Sequence, residues 1–271
     1  MKILIYIIIL FSLISPFKEI SRETEFQDST LTDALPAVEN KAFKVGEKAR
    51  YLVHYGRINA GYASYEIKNA DRKLNDRDLL HIVGIGRSQG MLDLFFHVED
   101  RYETYIDEEG IYPWLFIRDV HEGGYEIKQT YKFYHNKEIV ETEKGEQFKV
   151  PFGVQDMISS AFYTRTIEMS HLKVGDTLSF MSFLDEELFP IMLKFVGREE
   201  IKIRSGKYRC MRFHPVIQSG RVFNTSEDLE IWLSDDENKL PILVKANILV
   251  GSVKVEITDY EGLSNPLSKV E

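Results

Sequence analysis

The chain has 271 residues, enough for one large β domain or two small ones. Lys and Arg total 34 against 43 Asp and Glu, which gives a formal net charge of −9 and a pI of about 5.4. An acidic protein repels phosphate backbones, so nucleic acid is excluded as an expected partner. Cys210 is the single cysteine, which rules out an internal disulfide and a cysteine-cluster metal site.

The N-terminus has the pattern of an export segment. Lys2 is followed by about a dozen mostly apolar residues, a run as long as a secretory signal core and too short for a comfortable membrane span. Residues 1–18 are therefore predicted to be a signal peptide or, alternatively, an uncleaved membrane anchor. The polar residues 19–42 predict a disordered tether. We expect the protein in the periplasm, or attached to the membrane facing it, with membrane contact only through the N-terminal segment.

Strand-like alternation fills two arms of the chain, residues 43–150 and 171–263. Short turns separate the alternating runs, and because parallel pairs need long crossovers, the neighbours should be antiparallel. The predicted strands are 49–55, 62–68, 79–88, 94–106, 111–120, 125–134 and 138–143 in the first arm, and 178–183, 188–197, 199–204, 208–215, 228–234, 241–248 and 252–260 in the second. Both arms open with a similar turn, KVGE at 44–47 and KVGD at 173–176. Internal duplication is one interpretation, and a common local solution for entering a strand is the other.

The segment 151–170 joins the arms and contains the clearest helical pattern, at about 154–167. Its apolar residues follow the i, i+3, i+4, i+7, i+8 spacing of a helix with one buried face: Val154, Met157, Ile158, Ala161 and Phe162. The polar residues fall on the other side: Gln155, Asp156, Ser159, Ser160 and Thr164. We therefore predict one amphipathic helix packed on a sheet.

These patterns predict an all-β protein: a large curved antiparallel sheet, open β-barrel or sandwich, with the helix packed across it. The sheet, both arms and the helix should form a single domain over residues 43–263, followed by a tail at 264–271. A sheet with apolar residues on both faces needs cover on its second face, and one helix covers only part of it. We therefore expect a residual apolar groove lined by Phe, Tyr and Ile, the kind of place where small ligands bind.

Several short blocks, in order over roughly residues 43 to 262, resemble a bacterial family of exported proteins catalogued as domain of unknown function 3108. The blocks are Phe43 to Glu47 with Tyr51, Tyr55-Gly56 and Ala60-Gly61; Val98 to Glu103 with Tyr105 to Asp107 and Pro113; Gln155-Asp156, Ser159 to Tyr163 and Arg165; Gly206 to Tyr208 with Cys210 and Pro215; and Ile231 to Asp236, Pro241 and Gly251 to Val253. The resemblance implies an exported, β-rich envelope protein of undetermined function. It supplies no catalytic residues.

Five residues are candidates for ligand contact or for structural anchoring: Asp156, Arg165, Arg101, Tyr163 and Trp232. Asp156 and Arg165 lie at opposite ends of the helix, about 13 Å apart at 1.5 Å per residue, so they cannot pair with each other. We expect each to fix the helix to the sheet, Asp156 through backbone N–H groups or a strand arginine such as Arg101, and Arg165 through a strand carboxylate.

Catalytic and metal-binding patterns are weak. The chain has no nucleophile elbow, P-loop, HExxH or dinucleotide fingerprint. His54, His81 and His97 lie on three predicted strands and could form a three-histidine metal site, although hydrogen-bonded structural histidines are the commoner case. Neighbours Glu99 and Asp100 point to opposite faces of their strand, so they cannot share a substrate. We therefore predict no catalytic set, metal or cofactor.

The leading functional hypothesis is a non-enzymatic envelope protein that binds a lipid, another apolar ligand or an envelope partner. Two alternatives remain open. One is a secreted hydrolase acting on glycan or peptidoglycan through two carboxylates from different strands. The other is a structural or assembly module whose exposed strand edge pairs with another envelope protein.

Overall fold

A computed structural model describes residues 35–74, 76–216, 228–248 and 251–270. The predicted signal or anchor and the tether up to residue 34 lie outside the described residues. Within them, neither helix has the length and apolar character needed to cross a bilayer. The described fold contains fifteen strands and two α-helices: β1 (Lys48–Tyr55), β2 (Ile58–Asn69), β3 (Leu79–Ser88), α1 (Gly90–Phe95), β4 (Val98–Asp107), β5 (Pro113–Glu122), β6 (Tyr125–Tyr134), β7 (Ile139–Thr142), β8 (Gln147–Lys149), α2 (Met157–Thr166), β9 (Thr177–Leu184), β10 (Glu187–Ile203), β11 (Gly206–Pro215), β12 (Leu229–Ser234), β13 (Pro241–Asn247), β14 (Ser252–Glu261) and β15 (Lys269–Val270).

The strands form one antiparallel sheet whose order follows the chain. Strands β1 to β8 are successive hydrogen-bonded neighbours, β9 to β14 are successive neighbours, and β14 pairs with β1. Strands β8 and β9, adjacent in sequence, therefore lie at opposite edges, and the segment that carries α2 connects them. The predicted fold class, a large curved antiparallel sheet with a helix packed on it, is confirmed.

Because successive neighbours run antiparallel, every turn from an odd-numbered strand to the next even-numbered strand lies at the same end of the sheet. We call this the β1–β2 end, and the opposite end the β2–β3 end.

The two edges of the sheet approach each other. The N–H of Gln155, just before α2, donates to Met181 O at 2.9 Å, and the N–H of Phe183 donates to Gln155 O at 2.8 Å. This short parallel bridge covers part of the β9 edge with the protein's own chain. The Tyr131 ring of β6 also packs against the Phe183 ring of β9, with centroids 5.2 Å apart. The curled sheet thus encloses an apolar core between its two halves.

Helix α2 begins at Met157 and ends at Thr166, within the predicted 154–167. The expected division into a buried apolar side and an exposed polar side differs from the structure. Ser159, Ser160 and Thr164 are buried, whereas Ala161 is exposed. The hydroxyls of Ser160 and Thr164 donate to helix carbonyls four residues earlier, at 2.6 and 2.8 Å. Their polar groups are satisfied within the helix, so they can face the sheet.

Other boundaries also differ from the prediction. The predicted strand 94–106 begins only at Val98, because residues Gly90–Phe95 form α1. The predicted strands 188–197 and 199–204 are one strand, β10, which continues through a bulge at Gly197. Strand β8 was not predicted, and the expected tail pairs with β11 through β15.

The two similar turns adopt the same hydrogen bonding. Gly46 N–H donates to Ile67 O, and Gly175 N–H donates to Phe195 O, each at 2.9 Å. Both glycines have positive φ, +90° and +100°, which favours glycine there. Each turn leads into the first strand of a meander, β1 or β9. The internal duplication itself stays a prediction.

Candidate functional site

Asp156 caps α2 and joins it to the sheet. One carboxylate oxygen accepts from the N–H groups of Ile158 and Ser159, both at 2.7 Å, and the other accepts from Thr104 Oγ1 of β4 at 2.5 Å. The side chain is fully buried, and burial raises its pKa to about 6 against the opposing hydrogen bonds. Of the two expected kinds of partner, the structure shows the backbone N–H groups. Arg101 instead lies on the outer face and donates to Glu103 at 2.7 Å.

Arg165 is buried at the other end of α2, with its side chain 2% exposed. Its guanidinium donates to both carboxylate oxygens of Glu47, at 2.6 and 3.0 Å. The remaining donors reach Ala42 O at 3.0 Å, Asn238 O at 2.8 Å and the Tyr65 hydroxyl at 3.4 Å. All five N–H donors of the guanidinium therefore have protein partners. This arrangement ties α2 to the entry of β1 and to the β12–β13 turn, and it leaves no donor for a ligand.

The two aromatic candidates contact protein groups. Tyr163 is half-buried, and its ring packs edge-on against Phe180 with centroids 5.1 Å apart. Trp232 is buried, and its indole N–H donates to Glu199 at 2.8 Å. The first contact joins α2 to β9, and the second joins β12 to β10 across β11.

The three histidines considered for a metal site have separate partners. His54 Nδ1 lies 3.0 Å from Gly56 O, His81 Nε2 lies 2.6 Å from Glu103, and His97 Nδ1 lies 2.8 Å from Asp93. Among the residues that the structure describes, no three His, Cys, Asp or Glu side chains form a group that could hold a metal ion.

A buried carboxyl pair was missed by the sequence reasoning. Asp100 of β4 and Glu122 of β5 are 0% and 1% exposed and lie within hydrogen-bonding reach of each other. Burial raises the pKa of both, and the charge of Asp100 raises the pKa of Glu122 further. Nearby Arg118 is engaged by Asp185. Inward alternation along β4 and β5 could have indicated that both acids face the core.

This pair does not have the geometry that the hydrolase hypothesis requires. Glycosidase carboxyls are separated by about 5 Å or more so that a sugar or a water fits between them. Asp100 and Glu122 lie close enough to perturb each other's pKa and are closed off from solvent. The thiol of Cys210 is likewise buried, and burial raises its pKa to about 12, so it is a poor nucleophile.

A groove of about 350 Å³ lies on the outer face of β14, β1, β2, β3 and β4. Its centre is one row of directly paired residues, Arg50 with Ser64, Ser64 with Ile85, and Ile85 with Arg101. Cross-strand partners share a face, so two arginines on β1 and β4 flank short or apolar side chains on β2 and β3. Val83, buried beside Ile85, extends the apolar floor.

The charges around this groove are almost fully paired. Lys48 pairs with Glu66 and Glu261 at 3.4 and 3.1 Å, and Lys68 pairs with Glu66 at 3.1 Å. Arg101 pairs with Glu103, as described above. Arg50 is exposed and has no ion pair with any described residue, including Asp259, its register partner on β14. An anionic group over the apolar floor would therefore find the Arg50 guanidinium available.

This groove differs from the expected one. We predicted an apolar groove between helix and sheet, lined by Phe, Tyr and Ile. At that position Phe162 of α2 packs against the rings of Phe43 and Tyr65, with centroids 5.1 and 5.2 Å apart. The side chains of α2 and the sheet are in contact at this position, and the groove described above lies on the outer face.

The curled meander closed by a helical connection defines a β-barrel-like class of protein, and the comparison with one solved structure agrees. A β-barrel-like protein of the domain of unknown function DUF1849 from Brucella abortus is similar with a TM-score of 0.54 and 10% identity, over 81% of this chain and 98% of that one. Two weaker similarities are a candidate lipoprotein from Parabacteroides distasonis (TM-score 0.37, 8% identity, 84% and 100% covered) and a candidate exported protein with a YmcC-like fold from Bacteroides fragilis (TM-score 0.33, 9% identity, 83% and 100% covered).

The family comparison is more specific. Residues 50–258 match the family described as "Protein of unknown function (DUF3108)", which spans more than half of the chain. The chain therefore belongs to this family, and the resemblance noted from the sequence is confirmed. No curated protein matches the chain.

Proposed function

We propose that the protein is a non-enzymatic binding protein of the cell envelope, and that its ligand is an amphiphilic anion held in the outer groove. The ligand would carry a phosphate or carboxylate head and an alkyl or acyl chain. The single observation that carries this proposal is the row in which Arg50 and Arg101 flank Ser64 and Ile85. The envelope location is supported by the predicted export segment.

The expected ligand chemistry follows from the apolar floor of the groove and from the arginine in it that has no carboxylate partner. Val83 and Ile85 offer apolar contact, which favours a hydrocarbon portion. Arg50 offers a planar guanidinium without a carboxylate partner, which suits a phosphate or carboxylate. The groove volume of about 350 Å³ falls at the lower end of small-molecule sites, so it holds a head group with a few methylenes rather than a whole lipid.

Calorimetric titration with decyl phosphate tests the proposal. The Arg50→Gln variant should bind at least about tenfold more weakly, because a charge-assisted hydrogen bond contributes about 1.5 kcal/mol or more. Arg209→Gln is the matched control, since Arg209 is an exposed strand arginine on β11 outside the groove. Equal affinities of the two variants would refute the role of Arg50.

Two further probes define the ligand class. Inorganic phosphate should bind much more weakly than decyl phosphate, because it gains nothing from the apolar floor. Decanol should also bind weakly, because it lacks the charge. If inorganic phosphate bound as tightly as decyl phosphate, the site would be a simple anion site and the proposed amphiphile would be wrong.

The proposed location has its own test. Alkaline phosphatase fused after residue 42 should be active in cells, because that reporter folds to its active form only after export. Activity that survives deletion of residues 1–18 would contradict an export role for the N-terminal segment.

A further inference from the structure

Exposed apolar side chains are concentrated at one end of the sheet. Among the described residues, ten large hydrophobic side chains are exposed, and eight of them lie at the β1–β2 end. These eight are Tyr55, Ile58, Met91, Leu94, Phe95, Tyr125, Leu188 and Val216. The other two, Val45 and Val174, lie at the β2–β3 end. Exposed apolar side chains concentrated at one end of a fold indicate an interaction site.

The most exposed members are presented by a fixed element. In α1, Met91, Leu94 and Phe95 are 74%, 83% and 79% exposed. Other residues of the same segment anchor it to the fold, because Leu92 packs with the buried Val53 cluster and Phe96 lies over Gly123. Gly123 has no room for a side chain, since a Cβ there would come within 2.1 Å of the Phe96 ring.

Polar contacts complete this anchoring. Asp93 accepts from the Ser88 hydroxyl and lies 2.8 Å from His97 Nδ1. The Ser88 hydroxyl in turn accepts from Val98 N–H at 2.7 Å. The segment between β3 and β4 is thus held in place while its three apolar tips face outward.

We propose that the β1–β2 end docks on a lipid bilayer, with Met91, Leu94, Phe95 and Ile58 entering the acyl region. These side chains lie in α1 and at the start of β2 and are 60–83% exposed, and a fluid apolar phase accommodates such side chains without a complementary pocket. Tyr55 and Tyr125, 36% and 55% exposed at the same end, suit the head-group level of a membrane interface. This surface is separate from the outer groove and adds a second membrane contact to the predicted N-terminal one.

The length of the chain before the described fold allows this orientation. Sixteen residues, 19–34, separate the predicted anchor from the first described residue. A chain of that length can span up to about 55 Å, whereas a ten-residue strand spans about 33 Å. A chain anchored through residues 1–18 can therefore bring the β1–β2 end to the same bilayer.

A site-specific fluorophore tests the docking in the full-length chain. Leu94→Cys is labelled with an environment-sensitive nitrobenzoxadiazole probe, and Val174→Cys is the control, since Val174 is 74% exposed at the opposite end. The native Cys210 is buried and should not react. With phosphatidylcholine vesicles, the probe at position 94 should brighten at least about twofold, and spin-labelled acyl chains should quench it. The probe at position 174 should change little.

Other outcomes overturn the proposal. An unchanged probe at position 94 on vesicle-bound protein would show attachment through the N-terminal segment alone. Equal responses at positions 94 and 174 would show non-specific adsorption. A response that depends on protein concentration without vesicles would identify a second copy of the chain as the occupant. A Met91→Cys label gives an independent position if the first variant fails to fold.

Discussion

Replacing Arg165 with Met should destabilise the protein strongly, because it removes one partner of a fully buried ion pair. Glu47 is 0% exposed, and its carboxylate would lose both charge-assisted hydrogen bonds without gaining water. Breaking a buried pair in this way costs about 3–5 kcal/mol. The carbonyls of Ala42 and Asn238 also lose donors, at about 1 kcal/mol each. We therefore expect a loss of at least about 4 kcal/mol, a large part of the 5–15 kcal/mol typical of a folded domain.

Urea unfolding followed by tryptophan fluorescence measures this loss, with Trp114 and Trp232 as reporters in different parts of the sheet. Arg87→Met is the matched control, because Arg87 pairs with Glu99 where the two side chains are 49% and 53% exposed. An exposed pair contributes at most about 1 kcal/mol, so this variant should unfold close to wild type.

The double variant Glu47→Leu/Arg165→Met distinguishes the energetic cost of a buried unpaired charge from the cost of lost packing. It removes both charges, and replacing both partners of a buried pair with apolar groups is often neutral. We expect it to recover at least half of the stability lost in Arg165→Met. If Arg165→Met unfolded within about 1 kcal/mol of Arg87→Met, the buried pair would not be the anchor of α2 that the geometry indicates.

Three further variants test other features. Gly61→Ala should lower the free energy of unfolding in urea by about 1–3 kcal/mol, because the added Cβ would lie 2.3 Å from a backbone oxygen of β3. Gly84→Ala is the control: its Cβ would meet nothing closer than 3.8 Å, so its stability should stay within about 1 kcal/mol of wild type. Equal losses would contradict that close approach. Asp156→Ala should lower the melting temperature and cost about 2 kcal/mol or more, because the helix cap and the bond to β4 disappear together; an unchanged melting temperature would exclude this anchor. For Glu122 the folded state raises the carboxyl pKa from 4.5 to about 8, so the contribution of this group to stability is greatest below pH 4.5 and falls as the pH rises to about 8. Glu122→Gln should flatten that fall, and parallel stability curves of wild type and variant from pH 5 to pH 8.5 would show that the fold does not raise the pKa of Glu122.

The strands of the meander could be predicted because the sequence patterns that define them, alternation and turn residues, are local. Strand β6, Tyr125–Tyr134, matches the predicted 125–134 at both ends, since clean alternation and Gly123-Gly124 mark it. The helix was placed correctly for the same reason. The burial of Ser159 and Ser160 could not be predicted from polarity, because it depends on hydroxyls satisfied by helix carbonyls and by a strand of the other meander.

The candidate sites depend on long-range pairing, which alternation does not reveal. Arg165 and Glu47 are 118 positions apart, and a strand carboxylate was expected where the structure has a turn residue before β1. The outer groove depends on the register of four strands, which places Arg50 in the same row as Arg101. A one-residue shift of any of these strands would move its side chain to the other face.

The two similar turns show how α2 breaks the near-symmetry of the meanders. Glu47 and Asp176 follow positive-φ glycines in turns with the same hydrogen bonds, yet Glu47 is buried on Arg165 whereas Asp176 is exposed and accepts from Lys173 N–H. Arg165 of α2 reaches the entry of β1, whereas α2 contacts β9 within the strand, where Tyr163 packs against Phe180. The inner face of the first meander therefore holds the helix, and its outer face carries the groove in which Arg50 has no ion pair with any described residue.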